Sequence, residues 1–95
     1  MTDAGGEVND NPEASRYELL LDGRVVGLID YRLREGTISL DHAEVDPPLR
    51  GRGLGCRLAA GALADAAERG LKVIPRCPFV AAYIRRHPEL RELLA

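Results

Sequence analysis

The chain has 95 residues, 45% of them hydrophobic and 29% charged, enough for one domain and too few for two separate cores. Thirteen Lys and Arg against fifteen Asp and Glu give a net charge of −2, which argues against a dedicated binder of the nucleic-acid backbone. No apolar run is long enough to cross a bilayer, and the polar, acidic start lacks the pattern of a secretion signal, so a cytoplasmic monomer with no membrane or nucleic-acid partner is expected.

Residues 1–14 carry Gly5, Gly6, Asn9, Asn11 and Pro12 with little to bury, and predict a flexible acidic tail ahead of one domain over 15–95. From Tyr17 to Val45 the pattern is strand-like. Asp22-Gly23 sits between two apolar runs, a strong hairpin signal, and Glu35-Gly36 makes the next turn. Alternation in the second run groups Val25, Ile29, Tyr31 and Leu33. In the third it groups Ile38, Leu40, His42 and Glu44. A three-stranded antiparallel meander follows.

After Pro47-Pro48 the period changes. Leu54, Leu58, Ala62 and Ala66 recur at helical spacing, with Ala59 and Leu63 widening the stripe and Gly70 stopping it. Gly61 weakens that helix and leaves room for close packing on a sheet. Leu71 to Ile74 reads as a short strand. Pro78 opens a second helix that runs to Arg86, before Pro88. The order β-β-β-α-β-α predicts a mixed α/β (α+β) fold: an antiparallel meander with one parallel strand pair made by the crossover helix.

Arg50-Gly51-Arg52-Gly53-Leu54-Gly55 lies between a predicted strand and a predicted helix. Glycines there let backbone N–H groups approach an anion, and the helix N-terminus adds partial positive charge, so pyrophosphate is the natural ligand; a tight turn whose glycines serve only its geometry is the alternative. Arg50, Arg52 and Arg57 add charge around it. The turn fits neither the Walker pattern nor the dinucleotide fingerprint. Cys56, Cys77, His42 and His87 are the whole soft-ligand inventory and show no metal spacing, so no metal is expected. Cys77, just before Pro78 and beside Arg76, is expected to have a lowered thiol pKa at a helix N-terminus; a buried structural cysteine is the alternative. Cys56 reads as packing. His42 is a candidate base, or a hydrogen-bonded core residue, and Glu44 ranks behind it.

Arg50-x-x-Gly53-x-Gly55, together with His42-Ala43-Glu44-Val45, Pro75-x-Cys77-Pro78-Phe79 and Tyr83-Ile84-x-x-His87-Pro88, resembles a short, single-domain subfamily of the GNAT superfamily of N-acetyltransferases. The resemblance implies a minimal acetyl-CoA-dependent acetyltransferase acting on an amine acceptor. Glu44, Val45 and Asp46 would offer backbone groups to the pantetheine arm of coenzyme A, and Arg50 to Gly55 would hold its pyrophosphate. Cys77 and His42 would flank the thioester, and Tyr83 would protonate the departing thiolate. Larger members continue into further strands that build the acceptor site, so a coenzyme A-binding module with little or no transferase activity is the alternative function.

Overall fold

The computed structural model describes residues 6–95. Strands β1 (Glu7–Asn11), β2 (Arg16–Leu21), β3 (Arg24–Arg34) and β4 (Thr37–Val45) are followed by helix α1 (Leu54–Glu68), strand β5 (Lys72–Pro75) and helix α2 (Pro78–Arg86). The strands lie in sequence order in one sheet, antiparallel throughout except for the parallel pair β4–β5. The expected mixed fold, meander and crossover are all present. The six buried residues of α1 are Leu54, Leu58, Ala59, Ala62, Leu63 and Ala66, the stripe that helical spacing picks out. Asp22 (φ 52°) and Gly23 (φ 78°) form the β2–β3 turn, both in the left-handed region that a two-residue hairpin requires.

Two corrections concern the sheet. The first is an added strand. Residues 1–5 of the expected tail lie outside the described residues, but Glu7–Asn11 pairs with β2 along its whole length. Its polar sequence hides what holds it. The Asp10 carboxylate accepts hydrogen bonds from the Tyr31 hydroxyl (2.7 Å) and from Arg69 (3.2 Å), and Val8 packs over Gly61 of α1. A Cβ on Gly61 would stand 2.6 Å from the Val8 Cβ, so the missing side chain is what admits β1 to the helix.

The second correction is the phase of two strands. The pairing of β3 with β4 runs Asp30↔His42 and then Tyr31↔Leu40, so Asp41 is an extra residue in β4. Ile38 and Leu40 are buried, as expected. Beyond the bulge the alternation inverts: Ala43 and Val45 pack toward the core, while His42 and Glu44 face the solvent side of the sheet. A second bulge, where Leu19↔Gly27 gives way to Leu20↔Val25, buries Val26 and leaves Val25 39% exposed.

Both helices pack on one face of the sheet. On that face Tyr17 and Tyr31 lie with ring centroids 5.3 Å apart. The Tyr17 hydroxyl donates to Asp65 (2.6 Å), which also accepts from Arg69 (3.1 Å). Burial and the bond to Asp10 push Tyr31 up to about 12, and burial with the bond to Asp65 pushes Tyr17 higher still. Unfolded tyrosine ionises near pH 10, so these phenols stabilise the fold below pH 10 and that contribution is lost as pH rises toward 12. Phenolate absorbance at 295 nm is therefore expected to rise together with the loss of far-ultraviolet dichroism. Ionisation of Tyr17 and Tyr31 near pH 10 with the dichroism intact would contradict this account.

The β4–β5 ladder is short. It runs from Thr37↔Lys72 to Leu40↔Pro75 and ends with the Cys77 N–H donating to the Leu40 carbonyl (2.9 Å). Past that bond the chain turns into α2, and among the described residues no strand pairs with Asp41–Val45 on its β5 side. The outer edge of β5 is occupied by the C-terminal residues: Val73 bridges Leu94, and the Ala95 N–H donates to the Val73 carbonyl (3.0 Å).

Candidate active site

The opening between β4 and β5 leads to the glycine-rich turn. Pro47–Leu49 forms a single 3₁₀ turn after β4, and Gly51 (φ 85°) and Gly53 (φ 78°) then take left-handed conformations. Gly53 is the N-cap of α1. It has no side chain to satisfy the first N–H groups, and no acidic residue stands in the first turn. The positive end of a fifteen-residue helix is thus left bare, its donors directed outward.

In front of it is a cleft of about 410 Å³ lined by the end of β4 (Ala43, Glu44, Val45), by Leu49, by the turn and first turns of α1, and by Phe79 of α2. Of the residues expected to bind a coenzyme, Glu44, Val45, Arg50, Gly51, Gly53, Leu54 and Gly55 all line this space. Gly55 has a specific use: a Cβ there would come 2.9 Å from the Phe79 ring, so glycine lets that ring lie against the helix.

The backbone of β4 contributes as well. The Asp46 N–H donates to the Val26 carbonyl, so this end of β4 bonds β3 through alternate residues. Ala43 and Val45 therefore aim their main-chain groups at the opening, where β5 no longer runs. The Val45 carbonyl accepts from Arg50 Nε at 3.1 Å across that space.

Other expected residues are placed differently. Arg57 donates to the Gly6 carbonyl (2.8 Å) and lines a separate hollow with Val8 and Gly61, turned toward β1 and away from the main cleft. Arg52 is exposed on the turn and does not line the cleft, and Asp46 lines a smaller hollow beside it. Cys56, expected as packing, lines the cleft. Phe79, Leu49 and Leu58 are further lining residues, none of them among the expected site residues. The signal for Phe79 was its place one residue after a helix-opening proline.

His42 and Cys77 are not brought together. Cys77 is the N-cap of α2, 4% exposed and part of the hydrophobic core. His42 stands on the opposite, helix-free face, where its Nε2 pairs with Glu44 Oε2 at 2.7 Å. The bulge at Asp41 causes this separation. Tyr83 lies one turn beyond Phe79 on α2. Burial raises its pKa, and the nearby Cys56 and Glu89 add to the rise. His87 caps the helix: Nδ1–H donates to the Tyr83 carbonyl (2.8 Å), and the two rings stack with centroids 4.1 Å apart. Among the described residues no group of His, Cys, Asp and Glu gathers to hold a metal, and no helix is long and apolar enough to cross a membrane.

Residues 16–93 match the family model of the GCN5-related N-acetyltransferases. The chain belongs to that family. It is 32% identical over 76 residues to Protein NATD1 of Xenopus tropicalis, a match taking in 77% of this chain and 69% of the relative. A GCN5-like protein of Staphylococcus aureus, solved in solution by NMR, superposes with a TM-score of 0.71, covering 98% of this chain and 91% of its own at 21% identity. That likeness is one of fold, and it extends over β1 as well as the family-model match. The family's chemistry is transfer of an acyl group to an amine, and the cleft at the bare helix end is its candidate seat in this member.

Proposed function

We propose that the chain transfers the acetyl group of acetyl-CoA to an amine. The observation that carries this reading is the uncapped N-terminus of α1 behind Gly51 and Gly53, facing a cleft that runs on to the unpaired edge of β4. The pyrophosphate of the cosubstrate would accept from the N–H groups of Arg52 to Gly55, with Arg50 beside it. Its pantetheine arm would lie along β4 and pair with Ala43 and Val45 as an added strand would. Phe79 and Leu49 would shield the arm from water.

Direct attack fits the geometry better than a cysteine relay. The amine nitrogen would approach from the helix-free face and bond to the thioester carbonyl carbon. The carbon–sulfur bond then breaks, and the leaving thiolate takes a proton from the Tyr83 hydroxyl. The proton shed by the amine would pass to the His42–Glu44 pair, which stands on the side from which the amine arrives. Cys77 would then be a packing residue at the start of α2, and Cys77→Ala should keep transfer within about threefold of the parent rate. A loss of tenfold or more, with an acetylated Cys77 detected by intact mass, would restore the covalent route.

Calorimetry with coenzyme A tests the site itself. At Gly53 a Cβ would meet nothing within 4 Å, so Gly53→Val acts through its positive φ and through the volume it puts beside the exposed N–H groups. Affinity should fall about tenfold or more, with the fold retained. Unchanged affinity in a folded Gly53→Val protein would remove the pyrophosphate from this turn. Tight coenzyme binding without transfer to any amine would mark the chain as a binding module instead.

A further inference from the structure

The helix-free face carries a second hollow that acetyl-CoA binding does not use. It has a volume of about 340 Å³ and is lined by Arg32, Arg34, Glu35, Thr37, Ser39, Ile74 and Arg76. Three guanidinium groups from β3 and the end of β5 therefore converge over one end of β4. Asp41 lies among them. It accepts from Arg32 Nε (2.8 Å) and from the Ser39 hydroxyl, and Arg76 Nε stands 4.0 Å away. Burial pushes the Asp41 carboxyl up, but Ser39 and Arg32 outweigh it and hold it below its ordinary value.

Asp41 thus holds the guanidinium of Arg32 by one side, while Arg76 stands at ion-pair distance without a hydrogen bond. A guanidinium has five N–H donors, so most of those on Arg32 remain available. Arg34 has no hydrogen-bonded or ion-paired partner among the described residues, and Glu35 lines the hollow with it. Thr37 adds a hydroxyl to the hollow, and that of Ser39, at 8% exposure, is already given to Asp41. A held fork on Arg32, two further guanidiniums and the Thr37 hydroxyl in a concave site are what a carboxylate or a phosphate needs.

The position relative to His42 gives this hollow a use. On β3, Asp30 pairs with His42, Arg32 with Ser39, and Arg34 with Thr37. Asp30, Arg32 and Arg34 share the helix-free face, so the arginines stand about 7 and 14 Å along the sheet from His42. We infer that this groove recognises an anionic group on the amine acceptor, a carboxylate or phosphate carried about 7–14 Å from the reacting nitrogen. The inference rests on the acetyl-transfer reading for the word acceptor. The anion site itself stands on the groove alone.

The test separates the two. The ¹⁵N-labelled full chain is first titrated with coenzyme A, which reads the turn at residues 50–55, and then with inorganic phosphate in its continued presence. Saturable shifts of the amides of Arg34, Thr37, Ser39 and Arg76 are expected, and they should vanish in Arg34→Glu/Arg76→Gln. Shifts elsewhere, or shifts that do not saturate, would overturn the anion site whether or not coenzyme A binds.

Acceptor assays then compare a lysine peptide flanked by glutamates with its glutamine counterpart, and 8-aminooctanoate with its amide. The anionic member of at least one pair should show a KM lower by about tenfold. The first pair reads an acidic peptide, the second a small amino acid. That preference should collapse in Arg34→Glu/Arg76→Gln and persist in the charge-matched control Arg24→Glu/Arg91→Gln. Equal KM values within both pairs would refute recognition of the acceptor by this groove.

Discussion

Deleting residues 1–11 is expected to destabilise the domain by about 3 kcal/mol, lowering its melting temperature by some ~15 °C. The strand looks expendable by composition, and its weight comes from what it covers. Without Asp10 the buried Tyr31 hydroxyl loses its acceptor and Arg69 keeps only Asp65. Without Val8 the small-residue surface of α1 at Gly61 faces water. A buried donor stripped of its partner costs about 1–3 kcal/mol, and uncovering valine about 1.5 kcal/mol more, partly offset by the chain entropy released. Two point variants should move the same way: Asp10→Ala, and Gly61→Ala, whose gain in helix propensity of about 1 kcal/mol is outweighed by the collision with Val8. Melting within 3 °C of the parent after the deletion would show that β1 is an ornament of the sheet.

The second large effect concerns turnover. Tyr83→Phe is expected to cut kcat about 100-fold while leaving the dissociation constant of coenzyme A within twofold, because a general acid acts on the leaving thiolate and not on the bound cosubstrate. Its phenol is held protonated by burial, with Cys56 and Glu89 reinforcing the effect. The parent should therefore lose activity on the alkaline side only above the ordinary tyrosine range, and that limb of the pH profile should be absent in the variant. A Tyr83→Phe enzyme with parental kcat would leave the thiolate to be protonated by water, and Tyr83 would be only the ring on which His87 stacks.

The parts of this fold that announce themselves in the sequence are those whose physics is local. The Asp22-Gly23 turn, the α1 stripe, Gly70 after it and Pro78 before α2 each act within a few residues of themselves. Such features are legible as pattern. The turn from Arg50 to Gly55 is local in the same sense, and so is most of the cleft lining. What pattern missed depends on partners far along the chain. β1 has no alternation to read, since its anchors are Tyr31, Gly61 and Arg69.

The face of His42 escaped for a related reason. Periodicity assumes an unbroken ladder, and a bulge is a property of two strands in register, visible only when β3 and β4 are paired. The same bulge undid the expected link between His42 and Cys77. Arg57, near enough in sequence to the turn to look like part of it, rotates a full helical step away to bond Gly6.

The early end of the β4–β5 ladder has a consequence for how this molecule can be altered. Between Leu40 and Asp46 a single strand forms the wall between two compartments, with Ala43 and Val45 on one side and His42 on the other, while Glu44 pairs with His42 and also lines the cleft. His42 and Ala43, consecutive in the chain, thus belong to different rooms, and a substitution at one leaves the furnishing of the other largely in place. The two sides can drift independently under selection. The helix side is held to one shape by packing against Leu58 and Phe79, while the other side, bounded by little more than solvent and arginine, is free to be refitted.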